Sequence, residues 1–340
     1  MAEQALSYAQ RFEDMHLLRC FGEQATGFYV DIGAGHPVFD NVSFAFYLRG
    51  WSGITVEPNP WLAQLSEAVR PRDRRVRSLV GAAAGEATYY LIEEFHGLST
   101  TIESNALAAQ KEFDKSAQAM TVPVTTLAAL CSEHASDAID FLKIDVEGAE
   151  ADVLAGNDWR RNRPKVVVVE ALAPVTLAPA WDGWEPMLTA QNYRFAFFDG
   201  LNRYYVAGEY GALADRLAAE PPSFEGVAQF RNFKPALDDA SHPDHRLAAL
   251  FAGADMVRLP LLGTDALIQR LTAGLLASEL DRLATAADSL AIQEHLFGSP
   301  PAGESQRPHR NATIRNLYAS VVASEQFRAA CGRISASYAW

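Results

Sequence analysis

Cysteine is scarce in this chain. Cys20, Cys131 and Cys331 stand far apart, odd in number and without a CxxC pair, which excludes a disulfide framework and a cysteine-ligated zinc site. Positive charge is also short: 29 Lys and Arg face 42 Asp and Glu, a net charge of −13. Binding to nucleic acid needs clustered bases to neutralise phosphate, so no nucleic-acid partner is expected. The five arginines between Arg70 and Arg77 read as a solvated loop rather than an anion site. No apolar run of about 18 residues occurs, so no membrane span is expected. The polar stretch Met1 to Gln10 does not read as a signal peptide, and a cytoplasmic location follows as the expectation. The dinucleotide fingerprint G-x-G-x-x-G, the P-loop and the G-x-S-x-G elbow are all missing, which counts against nicotinamide chemistry, nucleotide hydrolysis and a serine nucleophile.

What is present is organised around Phe28-Tyr29-Val30-Asp31-Ile32-Gly33-Ala34-Gly35. Phe28 to Ile32, apolar, aromatic or β-branched at four of five positions, reads as a buried strand. The strand stops at Gly33-Ala34-Gly35, where glycine allows a sharp turn and leaves backbone N–H groups open to a ligand. In an open α/β sheet that edge is where ligands bind. Asp31 inside the motif would repel a pyrophosphate and suits a cation. The next predicted strand, Ile54-Thr55-Val56, ends in Glu57-Pro58, and a carboxylate there accepts the two ribose hydroxyls of a nucleoside. A cation-seeking acid, a glycine turn and a ribose-binding acid together point to S-adenosylmethionine, a nucleoside that carries a sulfonium and an amino acid. Asp31, Gly33, Ala34, Gly35, Glu57, Pro58 and Asp145 are the expected cofactor contacts.

The remaining patterns predict a helix within residues 2–21, a helix over 40–48, a helix over 58–69 and a third strand over 76–80. A helix over 107–119, an extended stretch at Val122-Pro123-Val124 and a helix capped by Thr125 or Thr126 follow. Residues 139–147 and 165–170 read as central strands, the latter apolar on both faces. Residues 194–198 and 203–207 form a hairpin through Asp199-Gly200. Strands alternating with helices predict an α/β, doubly wound sheet closed by an antiparallel hairpin. The texture changes after Tyr210, and 229–340 reads as an all-α appendage. The expected division is a cofactor-binding domain over 1–228 and a helical region over 229–340.

Alternation along the 139–147 strand would put Lys143, Asp145 and Glu147 on one face, with Glu170 ending the neighbouring strand. Carboxylates at two adjacent strand ends suit either a divalent cation such as Mg2+, shared by Asp145 and Glu170, or removal of a proton from a hydroxyl. The plainer alternative is a Lys143–Asp145 ion pair with Glu147 capping the next helix. Glu147 and His36, which directly follows the glycine turn, are further catalytic candidates.

These residues resemble the FkbM-type methyltransferases over about residues 7–210. The closest segment is Phe141-Leu142-Lys143-Ile144-Asp145-Val146-Glu147-Gly148-Ala149-Glu150. Ser7-Tyr8-Ala9-Gln10, Val30-Asp31-Ile32-Gly33-Ala34, Val56-Glu57-Pro58, Val122-Pro123-Val124-Thr125-Thr126-Leu127 and Asp199-Gly200-Leu201-Asn202-Arg203 extend the likeness. Gly35-His36-Pro37 departs from the family's turn. The resemblance implies a Rossmann-like methyltransferase sheet, S-adenosylmethionine as cofactor bound by Asp31, Gly33 and Glu57, and Asp145 at the reaction centre. It further implies an O-methyltransferase acting on a small-molecule or glycan acceptor, often a sugar hydroxyl in bacterial polysaccharide synthesis. A small-metabolite or lipid hydroxyl is the alternative acceptor. A different reading is an assembly module whose helical tail recruits a glycosyltransferase or forms a homo-oligomer.

Overall fold

The computed structural model describes residues 5–92, 99–114, 116–135, 138–173, 176–219, 224, 226–273, 292, 296–297 and 314–338. The chain divides into two compact units, one of residues 1–67 and 72–231 and one of residues 68–71 and 232–340.

The first unit is a mixed α/β fold on a mostly parallel sheet. Its elements are β1 (Leu6–Ser7), α1 (Glu13–Phe21), β2 (Phe28–Ile32), α2 (Phe44–Leu48), β3 (Ser52–Val56), α3 (Pro60–Val69), β4 (Arg74–Val76), β5 (Leu79–Val80) and β6 (Gly85–Ile92). There follow α4 (Glu103–Phe113), β7 (Ala117–Thr125), α5 (Leu127–His134), β8 (Phe141–Ile144), α6 (Glu150–Ala155) and β9 (Val166–Glu170). The series ends with α7 (Glu185–Ala190), β10 (Tyr193–Phe198), β11 (Asn202–Ala207), α8 (Gly211–Ala218) and β12 (Ala228–Gln229). The main sheet has the order β10-β11-β9-β8-β2-β3-β4. From β9 to β4 its neighbours are parallel, and β11 and β10 pair antiparallel at the other edge. The chain runs outward from β2 to β4, then returns to place β8 on the other side of β2. That reversal leaves a crevice at the carboxyl end of β2, the position where such sheets take ligands.

Burial explains which strands are central. Val166, Val167, Val168 and Val169 are all fully buried, as a strand covered on both faces requires. One face packs Val30, Ile54, Leu142, Ile144 and Val167; the other packs Tyr29, Phe46, Trp51, Phe141 and Val168. Each such side chain contributes roughly 1.5–3 kcal/mol on burial.

Several local expectations need correction. The strand expected over 76–80 is two strands in different sheets: β4 closes the main sheet, whereas β5 joins β7 and β6 in a separate three-stranded sheet. Residues 117–119, expected as the end of a helix, begin β7, which pairs along the length of β6. The arginine-rich stretch is not simply a solvated loop, for Arg70 is fully buried and Arg72 donates to the Tyr47 carbonyl. Within the expected first helix, Leu6–Ser7 pairs parallel with Ala228–Gln229. The turn into α1 is then tied by Asp14, which accepts from Ser7 Oγ at 2.6 Å and Tyr8 N at 2.8 Å.

In the second unit, α9 (His245–Leu250), α10 (Thr264–Thr272), α11 (Ile314–Ala323) and α12 (Glu325–Ala336) pack Leu247, Phe251, Leu267, Leu271, Tyr318, Phe327 and Ile334 into one cluster. Arg333 donates two hydrogen bonds, each 2.7 Å, to Asp244. Most of residues 274–313, where helical patterns are expected, lie outside the described residues.

Asp140 pins the starts of three neighbouring strands. It is 3% exposed, accepts from Phe28 N at 2.9 Å and Lys165 Nζ at 2.6 Å, and precedes β8 directly. Asp140→Ala strands a buried N–H and removes the partner of Lys165, so the expected loss is roughly 2–3 kcal/mol. Asp140→Asn should lose less than half of that, because it keeps one acceptor. Urea unfolding checks both: the midpoint should fall with an unchanged slope.

Candidate functional site

The turn after β2 is built around contacts that only glycine permits. Gly33 has φ +73°, and a Cβ there would stand 1.7 Å from the Asp145 carbonyl oxygen. Gly33 N and Ala34 N both donate to the Val56 carbonyl at 3.0 Å. Those two N–H groups are therefore spent on the β3 edge. Gly35 N donates to Glu57 Oε2 at 2.9 Å, and Asn59 N donates to Glu57 Oε1 at 2.8 Å. Two backbone donors thus aim the Glu57 carboxylate along the crevice, each oxygen keeping a lone pair. Burial pushes its pKa up to about 7 against the pull of those amides.

Asp31 is 1% exposed. Its Oδ2 accepts from Ser43 Oγ at 2.6 Å, while its Oδ1 is buried and has no hydrogen-bond partner among the described residues. Asn41 braces the same loop, donating to the Ala34 carbonyl at 2.9 Å and the His36 carbonyl at 3.1 Å. An unpaired buried carboxylate oxygen costs free energy unless a donor or cation meets it. The arrangement is a socket for positive charge beside a glycine turn.

The second half of the site lies at the ends of β8 and β9. The strand expected to reach Glu147 stops at Ile144, so strand alternation is not what gathers the acids. Asp145 N still donates to the Ile32 carbonyl at 3.0 Å, but the chain then turns, with Glu147 at φ +56° and Gly148 at φ +108°. Thr100 Oγ1 and Asn105 Nδ2 hold the Glu147 carbonyl at 3.0 and 3.1 Å. The expected cap by Glu147 is not formed, for α6 has no side-chain cap; Glu150 in its first turn instead braces the preceding turn, its Oε1 accepting from Gly148 N at 3.0 Å and Val146 N at 3.3 Å. The turn brings Asp145, Glu147 and Glu170 together, with one oxygen of each within 4.8 Å of the others. Burial first, and then repulsion by Asp145, push Glu147 and Glu170 well above the usual carboxylate range.

Lys143 ties the two halves. Its ammonium is buried and donates to Asp145 Oδ2 at 2.9 Å and to the Gly33 carbonyl at 3.4 Å. Burial disfavours its charge, but Asp145 and Asp31 outweigh that and raise its pKa. The ion pair expected from sequence is therefore present and also reaches the glycine turn.

His36 does not have the geometry of a base. It is buried, and its Nδ1 accepts from Val38 N and Phe39 N, each at 3.1 Å. That lone pair is occupied in shaping the loop. Pro58 is buried behind Glu57. Trp184, Tyr204 and Tyr205 are buried in the sheet's packing, whereas Trp181 is partly exposed with the Arg203 guanidinium 4.6 Å over its ring. One residue had no signal in the sequence. Tyr89, buried on β6 of the small sheet, has its ionisation opposed first by burial and then by Glu57 and Glu147, so it stands near both acids.

Comparison with known proteins bears on the same segment. Residues 31–195 match the family model described as the Methyltransferase FkbM domain. No curated protein matches the chain. Among solved structures, a methyltransferase FkbM from Methylobacillus flagellatus KT is 16% identical, with a TM-score of 0.34; the match covers 53% of this chain and 44% of that one. The chain thus matches less than half the length of that relative. The stretch over residues 31–195, which holds every acid of the crevice, is the part of the chain that matches the Methyltransferase FkbM domain.

Proposed function

We propose that the first unit is an S-adenosylmethionine-dependent O-methyltransferase, and that its acceptor is a sugar or glycan hydroxyl of the kind methylated in bacterial polysaccharide synthesis. The observation that carries the reading is Asp31 Oδ1, a sealed carboxylate oxygen with no partner among the described residues, next to the Gly33–Gly35 turn. The cofactor's ammonium fits that oxygen. Glu57, aimed by two backbone amides, takes the ribose hydroxyls, with Ala34, Gly35 and Pro58 walling the nucleoside. The acceptor class is inherited from the family resemblance.

Transfer from a sulfonium is an in-line displacement, so positioning supplies most of the acceleration. The acceptor oxygen forms a bond to the methyl carbon as the carbon–sulfur bond breaks, and its electron pair stays on sulfur. The products are a methyl ether and S-adenosylhomocysteine. The hydroxyl proton must leave during the step, and a carboxylate of raised proton affinity is suited to accept it. Glu147 and Glu170 have that property, and Asp145 lies between them and Lys143.

Asp145→Asn should leave S-adenosylhomocysteine affinity within about threefold of wild type and lower methyl transfer by at least about a hundredfold, the scale of one general acid–base group. Radiolabel transfer to a panel of sugars and nucleotide sugars, alongside calorimetry, checks this. Full turnover by the variant would remove Asp145 from the reaction centre.

A second expectation concerns pH. The folded-state pKa of Glu57 is raised to about 7 from an ordinary 4.5. The stability it contributes is therefore fully present below about 4.5 and is lost as pH rises through about 7. Ribose hydroxyls donate to the ionised form, so binding should release a proton near neutral pH, and affinity should rise from pH 5 to about 7 and then level. Calorimetry of S-adenosylhomocysteine in two buffers of different ionisation enthalpy measures the release. Identical heats in both buffers at pH 6.5 would argue against Glu57 as the ribose acceptor.

A further inference from the structure

Three carboxylates converge at the ends of β8 and β9, and the reaction they flank needs at most one proton acceptor. Asp145, Glu147 and Glu170 each present an oxygen to a common point, none more than 4.8 Å from another. Oxygens no farther apart than that can share one shell around a hard cation, where opposite ligands lie about 4.1 Å apart for Mg2+ and about 4.8 Å for Ca2+. All the donors are oxygen, the choice of Mg2+, Mn2+ and Ca2+ rather than zinc.

An acidic group alone would not single out a site, since such groups are common on surfaces. The distinguishing feature is Glu170 Oε2. It is sealed from solvent and no nitrogen or hydroxyl donor meets it among the described residues, and the Asp145 carboxylate lies within hydrogen-bonding reach of the Glu170 carboxyl. Of the neighbouring acids, Glu57 accepts backbone N–H groups on both oxygens and Glu150 accepts two, while Asp31 Oδ1 on the glycine-turn side is unpartnered like Glu170 Oε2. Lys143 offsets one of the three charges through Asp145 Oδ2 at 2.9 Å. With all three acids ionised, two negative charges are left in a partly buried group, and one divalent ion would balance them. The Asp145 side chain is 29% exposed, so one side of the group stays open to an incoming hydroxyl.

We propose that Asp145, Glu147 and Glu170 bind a hard divalent cation, each through one oxygen, next to the position of methyl transfer. Binding of the ion needs nothing from the methyltransferase reading; its use does rest on that reading. There the cation would orient the acceptor hydroxyl and make its proton easier to remove, while the second oxygen of a ligating carboxylate remains to receive it.

The full-length protein, stripped with chelator and dialysed, is titrated with Mn2+ while free Mn2+ is followed by electron paramagnetic resonance, with Mg2+ as competitor. Each sample is also titrated calorimetrically with S-adenosylhomocysteine. The expected result is one saturable Mn2+ site that Mg2+ displaces and that weakens at least tenfold in Glu170→Gln and in Glu147→Gln, with the melting transition retained. Absence of saturable binding, or binding that both variants keep, overturns the proposal. Mn2+ binding in a protein that takes no S-adenosylhomocysteine upholds the ion site and removes the methyl-transfer reading. S-adenosylhomocysteine binding without Mn2+ binding does the reverse.

Discussion

A glycine at position 33 is what lets the turn after β2 lie against the carbonyl of Asp145. The two strands are neighbours in the sheet, Ile32 opposite Ile144, so their carboxyl ends must cross within a few ångströms of each other. With any side chain at Gly33 the Cβ would sit inside the Asp145 backbone, and one of the two ends would have to move. Both halves of the crevice depend on that contact. The glycine-turn side hangs from Gly33 to Gly35, and the acid side starts at Asp145. Lys143 then fastens one to the other, reaching the Gly33 carbonyl and the Asp145 carboxylate from a single ammonium.

The charges gathered at this edge work against stability. Asp31, Glu57, Glu147 and Glu170 are held where burial disfavours ionisation or leaves an oxygen unpaired. A chain selected for stability alone would fill such a crevice with apolar side chains. The surrounding sheet can carry the cost, since its two faces bury continuous clusters of valine, isoleucine, leucine and aromatic residues. Local departures of this kind, set in a core that otherwise obeys every packing rule, are what functional sites are expected to look like.

Much of this was legible in the sequence where one local signal decided the outcome. Phe28–Ile32 is the strand its residues describe, and Thr126 caps α5 by accepting from Ala129 N. Glu57, Asp145 and Glu170 each fall at a strand end because apolar runs stop there. The misses share a cause, which is tertiary pairing overriding local pattern. Ala117–Ala119 looks helical by composition, yet it is drawn into β7 by its partners Tyr90, Leu91 and Ile92 on β6. Leu6–Ser7 becomes a strand only because Ala228–Gln229, more than two hundred residues away, lies beside it. His36 read as a candidate base because it follows the glycine turn; its ring had to be seen accepting two backbone N–H groups before the loop-shaping role was visible.

Glu147 shows the limit most clearly. Strand alternation put it on the face of Lys143 and Asp145, and it does meet them, but by a different route. The strand ends three residues earlier, and a left-handed turn at Glu147 and Gly148 brings the carboxylate back. A non-glycine residue at φ +56° is held there by its surroundings, since the conformation itself is unfavourable. Thr100 and Asn105 supply the hold through the Glu147 carbonyl, and they come from the segment that connects β6 to β7 of the small sheet. The three-stranded sheet is therefore more than an ornament on the fold. Tyr90 of β6 exchanges two backbone hydrogen bonds with Thr100, so the hold that Thr100 keeps on the Glu147 carbonyl is anchored on that strand. A sequence reading that assigned 76–80 to the main sheet and 117–119 to a helix had no means of seeing that dependence.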